Sequence, residues 1–220
     1  MPRVAVDEVD EVLPNGFDDS FVPEASEFEQ LRTGAREKML QVAAVITGDK
    51  LPEDTLLMAT SGRYEFRNKG IDLFLDSLGE LNRNKDCSGS VVAFLLIPAN
   101  HYGPRKDLLE ALDTPDGKEI KERYLTHNLH YAEHDLILNR IKSNGLNNSK
   151  DDRVKVIFVP SYLNGNDGVF NLAYYDLLIG FDMTLFPSYY EPWGYTPMES
   201  LAFSIPTVTT TLTGFGLWVK

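Results

Sequence analysis

Short strand-like runs at 55–60, 91–97, 154–159, 184–186 and 207–211 alternate with segments of helical periodicity, and this alternation constrains the fold more than any other feature. A strand with one wet face would alternate apolar and polar residues, whereas the run at 91–97 reads VVAFLLI without interruption. Strands covered on both faces and separated by helices form a parallel sheet between two helical layers. The fold expected is therefore α/β, a Rossmann-like doubly wound parallel sheet. Ser26 caps a helix through 46, with Phe28, Leu31, Ala35, Met39, Val42 and Ala43 on its apolar stripe and Gly48 as its stop. Further helices are expected at 70–81, 172–178 and 197–203, with two or three over 105–145 and a short leading strand at 9–13. Sheets of this kind keep their ligands beyond the carboxyl ends of the strands.

The chain has 220 residues, 43% of them hydrophobic, which suits one domain with a sizeable core. A net charge of −12 argues against nucleic acid and anionic membrane as partners, since the long-range field repels polyanions. The longest apolar run, 91–99, is far short of the ~20 residues that cross a bilayer. Cys87 is the single cysteine and has no internal disulfide partner; with a start that lacks a signal-peptide layout, this points to a cytoplasmic setting.

Two loops carry the chemistry. The loop after the strand at 55–60 holds Gly62, Gly70 and the cations Arg63, Arg67 and Lys69 just ahead of a helix. Cations crowd unfavourably against a helix amino end, and an arriving phosphate would relieve them. A solvated turn is the plainer alternative. The second loop, SYYEPWGYTPMES at 188–200, sits at a strand-to-helix corner and offers two carboxylates, Glu191 and Glu199. Thr196 at the N-cap, Pro197 at the first helical position and Glu199 three residues past the cap match a capping box, so Glu199 has a structural role open to it. Glu191 precedes the helix on a loop read as exposed, among Tyr189, Tyr190, Trp193 and Tyr195, a setting that suits a polyhydroxylated ligand. His127, His130 and His134 have spacing that one helix could present together, though a zinc site would need more ligands.

The segment 186–216, FPSYYEPWGYTPMESLAFSIPTVTTTLTGFG, closely resembles the signature of the animal and fungal type of glycogen synthase. LPNGF at 13–17, SGRYEFRNKG at 61–70 and LTHN at 125–128 follow the same family in the same order, so the resemblance spans nearly the whole chain. It implies the GT-B architecture of two Rossmann-like domains, with 1–220 as an incomplete second, nucleotide-sugar-binding domain whose ends look cut. The stretch after 211 is read as lacking a covering helix, and the fragment alone as inactive.

By this resemblance the activity is transfer of glucose from UDP-glucose to an α-1,4-glucan acceptor with retention, without cofactor or required metal, in a homo-oligomeric parent enzyme. Arg63 and Lys69 match the residues that hold the donor diphosphate, and Glu191 lies beside the transferred glucose. Glu199 approaches the ribose, and Tyr174 is placed to stack on uracil or, alternatively, to face the core. Gly194, Tyr195 and Thr196 add contacts at the helix start. Met198 stands where the family usually has alanine, which removes no functional group. A paired-carboxylate glycosidase and a noncatalytic nucleotide- or glucan-binding module remain alternatives.

Overall fold

A computed structural model describes residues 13–114 and 120–220. Its elements run α1 (Ala25–Thr47), β1 (Leu56–Ser61), α2 (Ile71–Arg83), β2 (Val91–Leu96), β3 (His101–Pro104), α3 (Lys106–Asp113), β4 (His127–Leu129), α4 (Leu136–Ser143), β5 (Val154–Val159), α5 (Tyr174–Leu178), β6 (Met183–Phe186), α6 (Tyr195–Ala202), β7 (Thr207–Thr209) and α7 (Gly214–Trp218). The strand expected at 9–13 lies outside the described residues except for Leu13, which is exposed and belongs to no element.

Five strands form one sheet in the order β5-β2-β1-β6-β7, with every neighbouring pair parallel. Successive residues of β2 point to opposite faces, as the strand's period of two requires. Val92, Phe94 and Leu96 join the core under α1, α3 and α5, while Val91, Ala93 and Leu95 join the core under α2 and α4. Both faces are thus dry, which is why the strand runs carry no polar alternation. Fully burying a Leu or Phe side chain contributes about 1.5–3 kcal/mol, so the two cores supply the main stabilisation. On one face α1 is tied down by Arg32 and Arg36, whose guanidinium groups reach Asp182 at 2.6 and 2.7 Å just before β6.

The chain runs outward from β1 through β2 to β5, then crosses back to β6 and β7 on the other side. The order therefore reverses between β1 and β6, and the loops leaving these two strands diverge over a crevice at their carboxyl ends. Those are the loops that carry the candidate residues. Gly70 stitches them together: its φ is +65°, and a Cβ there would lie 2.0 Å from the Pro187 carbonyl oxygen, so no side chain fits. Beside it the Tyr189 amide donates to the Asn68 carbonyl at 2.8 Å.

Three expectations need correction, and one feature was not expected. The region 105–145 holds helices α3 and α4 as expected; the unexpected feature is the antiparallel ribbon of β3, just before this region, and β4 within it, whose HYGP and HNL strands have no apolar pattern to announce them. The stretch after 211 does form a helix, α7, opened by the Thr213 hydroxyl accepting from the Gly216 amide at 3.0 Å. Helix α6 starts two residues earlier than the capping-box pattern implies: Gly194 is the N-cap, at φ 108°, and Pro197 is the third helical residue. Proline is tolerated there because the first four helical N–H groups have no intrahelical acceptor. Finally, the three histidines do not share a helix, since His127 lies in β4 and His134 in a 3-10 turn. His127 is fully buried; its Nε2 donates to the Asp167 carbonyl and its Nδ1 is left to the Thr126 hydroxyl, both at 2.8 Å. Burial, then the nearby His101, holds its pKa below the usual imidazole value against the opposing Asp167 contact, so this ring is a neutral strut.

Candidate functional site

A cavity of about 310 Å3 opens at the switch between β1 and β6. Ser61, Gly62 and Arg63 from the end of β1 line it, with Tyr162 and Leu163 from beyond β5, Tyr174 opening α5 and Thr196 in the first turn of α6. Arg63, Tyr174 and Thr196, picked out separately in the sequence, thus line the same cavity, whereas Lys69, Glu191, Gly194, Tyr195 and Glu199 are not among its lining residues. Beyond Pro98 and Tyr162 the groove continues into a wider cavity of about 570 Å3, whose lining includes none of the candidate residues.

Tyr174 is half-buried, and its hydroxyl lies 2.8 Å from the Ser61 hydroxyl. Burial, and then the Glu199 charge, raises its phenol above the usual range, so the ring that lines the cavity is neutral. Arg63 projects outward with its side chain 75% exposed and contacts Glu65 at 3.0 Å. An exposed pair of this kind holds weakly, so the guanidinium can turn to an anion in the cavity. Arg67 instead pairs with Asp72 at 3.4 Å and is not among the lining residues.

Lys69 is not among the lining residues but is close to one of them: its Cε is 4.0 Å from the point where a Gly62 Cβ would be. Its Nζ donates to Glu191 Oε2 at 2.5 Å, with only 12% and 19% of the two side chains exposed. This overturns the reading of Glu191 as an exposed loop residue. The three cations of the loop are not an unrelieved cluster either, because each meets a carboxylate. Glu191 is held from behind as well. The Gly214 amide donates to its carbonyl at 3.1 Å, the Phe215 amide donates to the Trp193 carbonyl at 2.8 Å, and a Cβ at Gly214 would meet the Pro192 carbonyl oxygen at 2.2 Å. Helix α7 therefore clamps the loop that carries Glu191.

At the corner, Gly194 turns the chain into α6, and the amides of Tyr195 and Thr196 belong to its open first turn. An anion there would meet the positive end of the helix. The Tyr195 side chain is exposed. Glu199 lies a turn further on and is not a cap; its Oε1 accepts from the Tyr175 hydroxyl at 3.1 Å. Burial raises the Glu199 pKa against the opposing effect of that hydrogen bond, while burial and the facing carboxylate push the Tyr175 phenol up to about 12.

A carboxyl whose pKa is raised on folding binds its proton more tightly in the folded state. Its contribution to stability is therefore largest in acid and declines as pH climbs from the unfolded value through the raised one. Glu199→Gln is expected to remove that decline, so that the variant gains on the wild type between pH 4 and pH 8 in thermal melts. A uniform loss of about 1 kcal/mol at every pH, as for a lost cap, would contradict this.

Ser61, Tyr162, Leu163 and Tyr175 join the site without having been singled out in the sequence. Their only signal is position, since Ser61 ends β1 and Tyr162 and Leu163 closely follow β5.

The glycogen synthase family model matches residues 4–111 and 119–220. The chain is similar to the glycogen [starch] synthase of Neurospora crassa, 33% identical over 269 residues, covering 96% of this chain and 38% of the relative. It is equally similar to isoform 2 of the Saccharomyces cerevisiae enzyme, 33% identical over 275 residues, with 96% and 39% covered. The chain thus spans about two fifths of these relatives' length. Among solved structures, Anabaena HepE in complex with UDP and glucose superposes with a TM-score of 0.48 at 18% identity, over 94% of this chain and 39% of that one. With the family model covering nearly all of its length, the chain belongs to the glycogen synthase family.

Proposed function

We propose that the chain is the donor-binding part of a glycogen synthase, which transfers glucose from UDP-glucose to the end of an α-1,4-glucan with retention of configuration. The observation that carries this reading is the cavity at the β1–β6 switch, lined by Arg63, Tyr174 and Thr196, with Lys69, the partner of Glu191, close to its lining residue Gly62. Uracil stacks on Tyr174, and the diphosphate meets Arg63, Lys69 and the first amides of α6. Breaking the bond between glucose and phosphate leaves extra negative charge on the departing UDP. Donors already aimed at that charge lower the barrier more than they stabilise the ground state.

The 2.5 Å contact between Lys69 and Glu191 supports a reading in which Lys69 meets the phosphate and Glu191 the sugar, on the two sides of the bond that breaks. Glu191 accepts from glucose hydroxyls and offsets positive charge at the anomeric carbon. Glu199 reaches the ribose with the lone pairs that Tyr175 leaves free. The glucan acceptor and the partner copies of a homo-oligomer belong to the whole enzyme. A cytoplasmic setting agrees with the free, exposed thiol of Cys87. Among the described residues no helix is long and apolar enough to cross a membrane.

The glycosidase alternative needs two carboxyl groups facing one bond. Here Glu191 is bound by Lys69 and Glu199 by Tyr175, which leaves neither poised as a free acid beside the other. The binding-module alternative is tested together with the donor site. UDP is expected to raise the melting temperature of the chain more than ADP or a maltooligosaccharide does, and Arg63→Ala to abolish the UDP shift while leaving the unliganded melting temperature unchanged. A response to maltooligosaccharide alone would favour a glucan-binding module.

A further inference from the structure

We propose a second anion site at the opposite edge of the sheet, for a small dianion of the phosphate class. A cavity of about 400 Å3 lies there, lined by Lys50, Ser90, Lys150, Arg153 and Lys155 together with Asp49, Asp151 and Asp152. These residues precede β1, β2 and β5 or begin them, whereas the donor cavity lies beyond the carboxyl ends. A strand of six residues separates the two edges by on the order of 20 Å.

The charge balance of this cavity is unusual for a chain with a net charge of −12. Lys155, almost fully buried on β5, is neutralised by Asp49 at 3.1 Å and also donates to the Ser149 carbonyl. Asp152 is taken up by the Asn82 amide at 2.9 Å and by the Ser149 amide and hydroxyl, both at 2.8 Å. Asp151 is exposed. Lys50, Lys150 and Arg153 therefore outnumber the two carboxylates left to face them.

Arg153 makes the case specific. Its Nε and Nη1 are both buried without a hydrogen-bond partner, in a side chain that lines the cavity. Arg153 as a whole is only half-buried, but these two donors are sealed without a partner, which is costly, and the side chain would meet an ion with them on turning toward the cavity. Donors on separate nitrogens of Arg153, flanked by two mobile ammonium groups, suit an anion with several oxygens spread around a tetrahedron better than a planar carboxylate. A free phosphate ion and a phosphomonoester present the same oxygens.

The test is a titration of the chain with inorganic phosphate and, separately, with glycerol 3-phosphate at constant ionic strength, followed by the Arg153 Nε–H resonance in side-chain NMR and by calorimetry. Saturable binding that moves this resonance is expected, and the tighter of the two probes identifies the source of the anion. Arg153→Gln should weaken binding at least tenfold. The exposed Lys150→Ala, which leaves the core untouched, should weaken it about threefold and serves where Arg153→Gln fails to fold. Arg63→Ala should abolish UDP binding yet leave the Arg153 response intact, so that failure here and failure at the donor site can be told apart. Binding that leaves the Arg153 resonance still, or that is unchanged in both Arg153→Gln and Lys150→Ala, would overturn the proposal, as would no saturable binding of either probe.

Discussion

Lys69→Met is expected to abolish UDP binding to the chain, to reduce glucose transfer by the parent enzyme at least a hundredfold, and to lower stability by about 1–3 kcal/mol. The stability loss follows from what is left behind. Glu191 has only 19% of its side chain exposed, and without Lys69 its carboxylate keeps the desolvation cost but loses its charged partner. The remaining exposure screens part of that cost, so the loss should fall short of that for a fully buried pair. A double variant, Lys69→Met with Glu191→Gln, should recover most of the lost stability while recovering no UDP binding. Chemical denaturation and calorimetry on the two proteins separate these contributions. Unchanged stability in Lys69→Met would mean that the ion pair is not formed in solution.

Glu191→Gln should behave differently, and the contrast separates the two roles. The amide oxygen still accepts from Lys69, so stability should fall by no more than about 1 kcal/mol. UDP binding should be retained or become tighter, because Lys69 no longer divides its attraction between the carboxylate and the diphosphate. Glucose transfer by the parent enzyme should nevertheless fall at least a hundredfold in kcat if, as proposed, the Glu191 charge faces the anomeric carbon. Steady-state kinetics on the parent enzyme with UDP affinity measured in parallel would decide it. Retained transfer would remove Glu191 from the chemistry, and loss of UDP binding would make it a donor-binding residue instead.

The central sheet was legible in the sequence because its physics is written there. Val154–Val159 matches the expected run in full, and β1 and β2 depart from it by only a residue at their ends. Strands buried on both faces admit few alternatives. Elements held by tertiary contacts left no such trace: the ribbon β3–β4 and helix α7 are short, and α7 carries Gly214 and Gly216, where an added Cβ would lie 2.2 and 2.0 Å from backbone oxygens, so that no side chain fits. Two helix-breaking glycines concealed a helix because close packing requires them.

At the site, the loops at 61–70 and 188–200 were identifiable, and their meeting follows from β1 and β6 being neighbours. What pattern reading missed were pair contacts between them. Nothing local says that Lys69 reaches Glu191 across 122 positions, or that Tyr175 rather than a cap amide engages Glu199. The capping-box reading of Thr196 failed because Gly194, free to adopt φ 108°, starts the helix earlier.

The most direct measurement is a crystal structure of the chain with UDP. Diphosphate oxygens are expected within hydrogen-bond distance of both the Arg63 guanidinium and Lys69 Nζ, with uracil lying over Tyr174. UDP seated elsewhere, or bound in this cavity with neither cation on its phosphates, would contradict it.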